Sequence, residues 1–285
     1  MIPSIKQPGI YRWTYRVYIL LFYVFLMSPL VVVAVFAFND SLFPSLPWNG
    51  FTLDWFTSKT QDRLGVFSDS AMLESLGISA FNAFWVTTLS LFVATTTAFL
   101  FERYDFRFKE FLYMLMLLPL VIPGVILGIS ILIASNSFAN LLEESYNLEI
   151  EALRPGLTLV ILGQFSFITT IATMVIGARL RKMDRTLEEA AYNLGASKAA
   201  VLWTITFPYL KPSLIGAGIV AFLMSFENFN TTLMLTSSDS PLTITMYDRL
   251  REGSTPELNA VSVLLMVGSG ILALLSVFAQ KQNNG

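Results

Sequence analysis

The sequence predicts an all-α integral membrane protein of six transmembrane helices. Three observations predict it: a composition poor in charge, six apolar runs of bilayer length, and basic residues gathered on alternate connections. Of the 285 residues, 54% are hydrophobic and 13% charged, about half the charged fraction of an average soluble domain. The chain has no cysteine and no histidine. Disulfides, thiolate nucleophiles, Cys/His metal sites and Ser-His-Asp arrangements are therefore excluded. A net charge of −2 gives no electrostatic reason to expect a nucleic-acid partner.

The apolar runs cover Val17 to Phe38, Ala80 to Phe101, Phe111 to Ala134, Leu157 to Ala178, Leu214 to Leu235 and Ala260 to Ala279. Each is close to the ~20 residues a helix needs to cross a bilayer core of about 30 Å. The first run is longer than the usual apolar stretch of a signal peptide, about 7–15 residues, and no small-x-small cleavage site follows it. It is therefore expected to stay as the first helix. Pro119, Pro123, Gly124 and Gly128 predict that the third run is a kinked helix, although both residue types are ordinary in membrane helices. Trp13, Trp48 and Trp55 fall near predicted interfaces, where Trp is expected as an anchor.

Basic residues orient the bundle. Lys6, Arg12 and Arg16 lie before the first run, and Arg103, Arg107 and Lys109 lie between the second and third. Arg179, Arg181, Lys182, Arg185, Lys198 and Lys211 lie between the fourth and fifth, and Lys281 follows the sixth. The opposite loops hold only Lys59, Arg63, Arg154, Arg249 and Arg251, among acids such as Asp62, Glu143, Glu144, Glu149 and Asp239. The positive-inside rule then places both termini (1–16 and 280–285) and the connection 179–213 in the cytoplasm, with 39–79 outside.

That connection contains "TLEEAAYNLGAS", residues 186–197, a polar phrase between two apolar runs. Thr186 and Glu189 have the spacing of a capping box, in which each side chain satisfies the other's backbone amide. Leu187, Ala190, Ala191 and Leu194 fall on one helical face, with Glu188 and Tyr192 elsewhere. Gly195 suits a left-handed helix end. Ser197 is placed to cap a second short helix, which Pro208 is expected to interrupt. Two short helices meeting at a glycine corner could lie on the membrane surface or dock against a partner. The acidic pair suits an anionic lipid surface poorly.

The longer stretch "EEAAYNLGASKAAVLWTITFPYLKPSL" resembles the EAA loop of binding-protein-dependent ABC-importer permeases. Glu189, Ala190, Ala191, Gly195 and Phe207-Pro208 match the family pattern, with Phe207 where the family usually has Leu. "WNGFTLDWF", "YDFRFKEF", "SFENFN" and "STPELNAVSVLL" extend the likeness, which is strongest to the second membrane subunit of spermidine/putrescine-type importers. The resemblance implies the type I ABC-importer permease fold, with a transmembrane domain over 76–279, in a bacterial inner membrane. It also implies that Thr186, Leu187, Glu188, Glu189, Ala190, Ala191, Leu194, Gly195, Ala196, Ser197 and Pro208 form the coupling region that docks on an ATP-binding subunit. The implied partners are a dimer of such ATPases, a second homologous permease and a periplasmic solute-binding protein. No Gly-x-x-x-x-Gly-Lys-Ser/Thr loop occurs in the sequence, so ATP and Mg are expected on the partner, with no cofactor here and no catalytic role.

Glu227, with Asn228 and Asn230 beside it, interrupts the fifth run. An acid at bilayer depth costs about 2.5–3.5 kcal/mol on insertion scales and usually marks a path or a buried pair. The carboxylate and amides would suit a cationic solute such as a polyamine; a protonated Glu227 bonded to another helix is the structural alternative. The related polyamine subunits tend to carry two adjacent acids here, whereas this chain has Glu227-Asn228. Pro256-Glu257-Leu258-Asn259 is either a helix start or a surface for the solute-binding protein. An intramembrane hydrolase has few parts to work with in this sequence. An ion-gradient transporter would need an internal repeat that is not evident, and a scaffold would have no use for Glu227.

Overall fold

The computed structural model describes residues 9–60, 63–253 and 255–281. Lys6, Asp62, Ser254 and the last residues of the C-terminal tail, which entered the sequence reading, lie outside them. Six helices of the described residues are long and apolar enough to cross a membrane. The residues fall into two compact units, 1–69 with 249–267 and 70–248 with 268–285.

In the first unit, α1 (Gly9–Ala37) is a single 29-residue helix. Its side chains stay exposed along nearly the whole length, as expected of a helix solvated by lipid. The chain then folds into a small loop structure holding α2 (Asp54–Thr57) and a two-residue hairpin, β1 (Lys59–Thr60) and β2 (Arg63–Leu64). Asn39 organises it. Its side chain accepts from the Asn49 amide at 2.9 Å and donates to the Ser45 carbonyl at 3.2 Å. Arg63 ties Asp40 to Asp54, and Phe38 stacks on Phe51 and Phe56. Trp55, expected as an interfacial anchor, is only 3% exposed, and its indole N–H donates to the Asn39 carbonyl at 2.9 Å. A polar edge that finds a backbone partner can be buried, so Trp55 belongs to the loop core. Trp13 and Trp48 remain exposed. The buried carboxylates Asp69 and Glu257 both pair with Arg249, and residues 256–259 are the first turn of α12 (Pro256–Lys281).

The second unit is built on α3 (Ser70–Arg103), α6 (Leu157–Arg181) and α9 (Phe207–Phe226). Ala94, Ala98, Ala172 and Ala217 form their seam together with Ile176, Leu180 and Leu210. Small side chains let backbones approach closely, which is how helices associate where lipid removes the hydrophobic drive.

The third run departs from expectation. It is two helices, α4 (Lys109–Val121) and α5 (Gly124–Tyr146). Pro123 has no amide to donate, and Ile122 before it takes an extended conformation, ψ 130°, the region a residue preceding proline prefers. Pro119 is accommodated inside α4, and it is Pro123 that parts the helix instead of bending it. The fifth run also divides. α9 ends at Phe226, and a separate helix α10 (Asn230–Leu235) follows. The latter packs on α5 and α6 so closely that a Cβ on Gly163 would stand 2.3 Å from Leu235 Cδ1. α11 (Leu242–Glu252) follows, with the Leu242 amide donating to Ser79 Oγ at 2.8 Å.

Candidate functional site: a helical corner and a helix break

The corner comprises α7 (Thr186–Asn193), α8 (Lys198–Val201) and a π-helical turn, Leu202–Thr206, that runs into α9. The capping box expected at Thr186 and Glu189 does not form. The Glu189 amide donates to the Arg185 carbonyl at 3.1 Å, and the Thr186 amide to Asp184 Oδ1 at 3.0 Å. Asp184 thus leads into α7 through an Asx-type turn, while the N-cap residue, Arg185, makes no side-chain cap. Bonds from the Thr186 amide and hydroxyl hold the Asp184 carboxyl below the usual range.

The end of α7 is as the sequence predicts. Gly195 is left-handed, φ 86°. Its amide donates to the Tyr192 carbonyl at 2.9 Å, and the Ala196 amide to the Ala191 carbonyl at 3.0 Å. These are the two bonds of a Schellman ending. Ser197 caps α8 by accepting from the Ala200 amide at 3.2 Å. Pro208 does not interrupt the second helix as expected. The wide turn at 202–206, closed by a bond from the Phe207 amide to the Leu202 carbonyl, carries the backbone past the proline that has no amide to give.

The two acids of the corner face different surroundings. Glu188 is drawn inward. Its Oε1 pairs with Arg103 Nη2 at 3.3 Å and accepts from the Thr206 hydroxyl at 2.7 Å, with 17% of the side chain exposed. Glu189 is exposed, as are Leu187, Ala190 and, at 90%, Leu194. A second tie lies behind the corner: Arg181 forks onto both carboxylate oxygens of Glu102, and Arg185 donates to the Glu102 carbonyl at 2.8 Å. Sequence reasoning grouped Glu188 with the docking face and passed over Asp184, Arg103 and Thr206. The basic loop containing Arg103 was visible, but its pairing across 85 residues was not.

The break lies at 227–229. Glu227 is exposed at the C-terminal end of α9, not in mid-helix, and Ser269 donates to its Oε1 at 3.1 Å. Asn228 is a structural link: its Oδ1 accepts from the Thr232 hydroxyl at 3.0 Å and the Thr232 amide at 3.3 Å. Its carbonyl accepts from the Thr243 hydroxyl at 3.1 Å. Asn230 opens α10 and is exposed. Gln164 of α6, 2% exposed, spans the break. It accepts from the Ser225 hydroxyl on α9 and donates to Thr232 Oγ1 on α10 at 2.8 Å. An amide in the middle of an apolar run was the signal that could have found it.

Comparison with known proteins gives the family and the fold. The family described as binding-protein-dependent transport system inner membrane component matches residues 87–283. The putrescine transport system permease protein PotI of Escherichia coli K12 is 27% identical over 99% of this chain and 95% of its own length. The spermidine/putrescine transport system permease protein PotC of Haemophilus influenzae is 25% identical over 92% of this chain and 94% of its own. A crystallised bacterial ABC transporter that imports the acidic polysaccharide alginate shares the fold, with a TM-score of 0.72 at 13% identity over 96% of this chain and 98% of that one. The chain belongs to the binding-protein-dependent transport system inner membrane components, and is a multi-pass inner-membrane permease subunit of an ABC importer, not an enzyme.

Proposed function

We propose that this chain forms, with a second permease, the translocation path for a small organic cation, most simply a polyamine, and that its 186–208 corner couples the path to an ATP-hydrolysing partner. The observation that carries the solute assignment is Glu227, an exposed carboxylate at the end of a membrane helix. Its negative charge adds to the partial negative charge of the helix C-terminus. The rings of Phe222 and Phe226, 5.9 Å apart, and of Phe229 and Tyr247, 5.0 Å apart, lie in the same region of the chain. Carboxylate and aromatic faces together are the chemistry that holds an ammonium group. Asn228 is occupied by Thr232, so Glu227 is the one charge this stretch offers. A path with a single acid suits one ammonium at a time, as in a diamine moving end first. PotI and PotC, named for putrescine and for spermidine and putrescine, support the same solute class.

ABC-importer permeases work with ATPases, a binding protein and a second permease. In this reading α7 docks in a groove of the ATPase, with Leu187, Glu189, Ala190 and Leu194 on the docking face. The concentration of basic residues on the corner's side of the membrane supports a cytoplasmic location for it and for both termini. Closure of the ATPase would swing the roots of α7, at α6 and α9, as rigid bodies.

The test is ATP-dependent uptake by the copurified complex in proteoliposomes, with its binding protein and labelled putrescine, spermidine or a neutral amino acid. Polyamine uptake that falls at least about tenfold in Glu227→Gln, with assembly intact, is expected, since about 1.4 kcal/mol of lost cation binding is tenfold. Uptake of the neutral solute alone would remove the cation assignment, and loss of assembly would make Glu227 structural. Glu189→Lys should separate the membrane subunits from the ATPase on copurification; normal recovery and uptake would sink the coupling assignment.

A further inference from the structure

Behind α7, on the side away from its exposed leucines, a cavity of about 550 Å³ opens between the end of α3, α7, and the start of the helix leading into α9. Arg103, Arg185 and Lys198 line it, as do Glu188 and Glu189. Glu188 is already answered by Arg103 and the Thr206 hydroxyl. The Nε–H of Arg103 is buried and finds no partner among the described residues, so the guanidinium is only partly satisfied by its 3.3 Å pair. Three cations thus face two carboxylates, one of them already engaged.

Tyr104 and Tyr192 also border the cavity, and the wall formed by α3 and the start of α9 is apolar in effect. Thr95 and Thr96 also line the cavity, yet their hydroxyls donate to the Leu91 and Phe92 carbonyls one turn back, at 2.6 and 3.1 Å. What these two residues have left to offer is methyl groups. Beside them stand Phe99 and Phe207, with ring centroids 6.3 Å apart. Phe207 is stacked in turn on the exposed Trp203 at 4.8 Å. α3 is one of the membrane-crossing helices and Arg103 is its last residue, so the cavity joins a cationic rim to an apolar wall at the end of a span.

We propose that this cavity binds the phosphodiester headgroup of an anionic phospholipid, with Arg185 and Lys198 on the phosphate and an acyl chain along Phe99 and Phe207. Cationic donors at the end of a membrane helix, beside a stretch of wall made of Thr95, Thr96, Phe99 and Phe207, are complementary to an anion that carries its own hydrocarbon. A free phosphate would use the rim and leave the wall bare. The site lies opposite Leu187 and Leu194 on α7 and shares only Glu189 with the proposed docking face, a residue that the variants below leave in place.

The experiment is native mass spectrometry of the complete detergent-purified complex, titrated with phosphatidylglycerol or with phosphatidylcholine of the same chains, with and without inorganic phosphate. Phosphatidylglycerol should be retained over phosphatidylcholine and should survive excess phosphate. Arg185→Gln with Lys198→Gln should weaken it about 25-fold, roughly fivefold for each cation near a headgroup, while Arg107→Gln, outside the cavity, should not. Thr96→Trp, which fills the wall and removes no charge, should also expel the lipid. Equal retention of the two lipids, displacement by phosphate, or full retention by the double variant would each overturn the proposal. If the double variant does not assemble, Thr96→Trp decides: undiminished phosphatidylglycerol binding there overturns it.

Discussion

The corner at 184–208 and the break at 225–232 both hold a helix interruption in fixed geometry, and they do it with different chemistry. The corner uses ions: Glu188 with Arg103, Glu102 with Arg181, and Asp184 on the Thr186 amide. The break uses neutral groups: the Gln164 amide, the Ser225 and Thr232 hydroxyls, and the Asn228 amide oxygen. The difference follows the solvent. Where water can reach one side, a charge pair keeps most of its hydration and still orients its partners. In a membrane interior an ion would carry a large desolvation cost, so amides and hydroxyls that satisfy each other are the affordable clamp. The one charge at the break, Glu227, is exposed, as the proposed contact with a passing cation requires.

The largest expected effect is therefore at Gln164. Gln164→Leu fills the same volume but strands the Ser225 hydroxyl, 3% exposed, and takes from the buried Thr232 hydroxyl one of its two partners, leaving it only Asn228 Oδ1. A stranded buried group costs about 1–3 kcal/mol, so a loss of about 1–3 kcal/mol in the thermal stability of the membrane subunits is expected, with uptake falling more than tenfold. Gln164→Glu, protonated in that setting, can still donate one bond and should recover part of the loss. A Leu variant as stable and as active as the parent would show that the bond from Gln164 to each side of the break does not hold it.

Glu188→Gln should have a smaller effect. It keeps an acceptor for the Thr206 hydroxyl but leaves Arg103, 13% exposed, without its counter-charge. About 1–2 kcal/mol is expected, less than for a fully buried pair because both side chains touch solvent. Its signature should be mechanical. ATPase recovery on copurification should stay normal, while uptake per ATP hydrolysed falls, because α7 is less firmly tied to the end of α3. A double-mutant cycle with Arg103→Gln would isolate the pair; additive losses would assign the effect elsewhere.

Much of this was legible in the sequence, and the misses share a cause. The number of long apolar helices, the glycine corner and the Ser197 cap depend on residues within a turn or two of each other, and those readings match the structure, although the third and fifth runs are divided. The break at Pro123 was visible as a proline pair, but whether such a pair kinks or parts a helix depends on what packs around it. The split at Glu227 depends on Gln164, 63 residues away, gripping both sides. The capping box at Thr186 did not form because α7 begins one residue earlier than that spacing requires, with Arg185 at the N-cap and Asp184 holding the Thr186 amide. Glu188 and Glu189 are adjacent and chemically identical, and only Arg103, from another helix, separates their roles.

The smallest effect sharpens the same comparison at the local end of the scale. Ser197→Ala removes the bond to the Ala200 amide, a cap that is worth about 1 kcal/mol. α8 is only four residues long, but it is continuous with the π-turn and α9, so the long helix behind it supplies most of its order. The variant should lower stability by about 0.5–1 kcal/mol in a thermal melt, with uptake within about twofold of the parent. Replacement by Asp, which caps equally well, should restore it. A loss as large as that of Glu188→Gln would mean that the corner owes its geometry to Ser197 and not to the ions, and the division between an ionic corner and a neutral break would have to be drawn elsewhere.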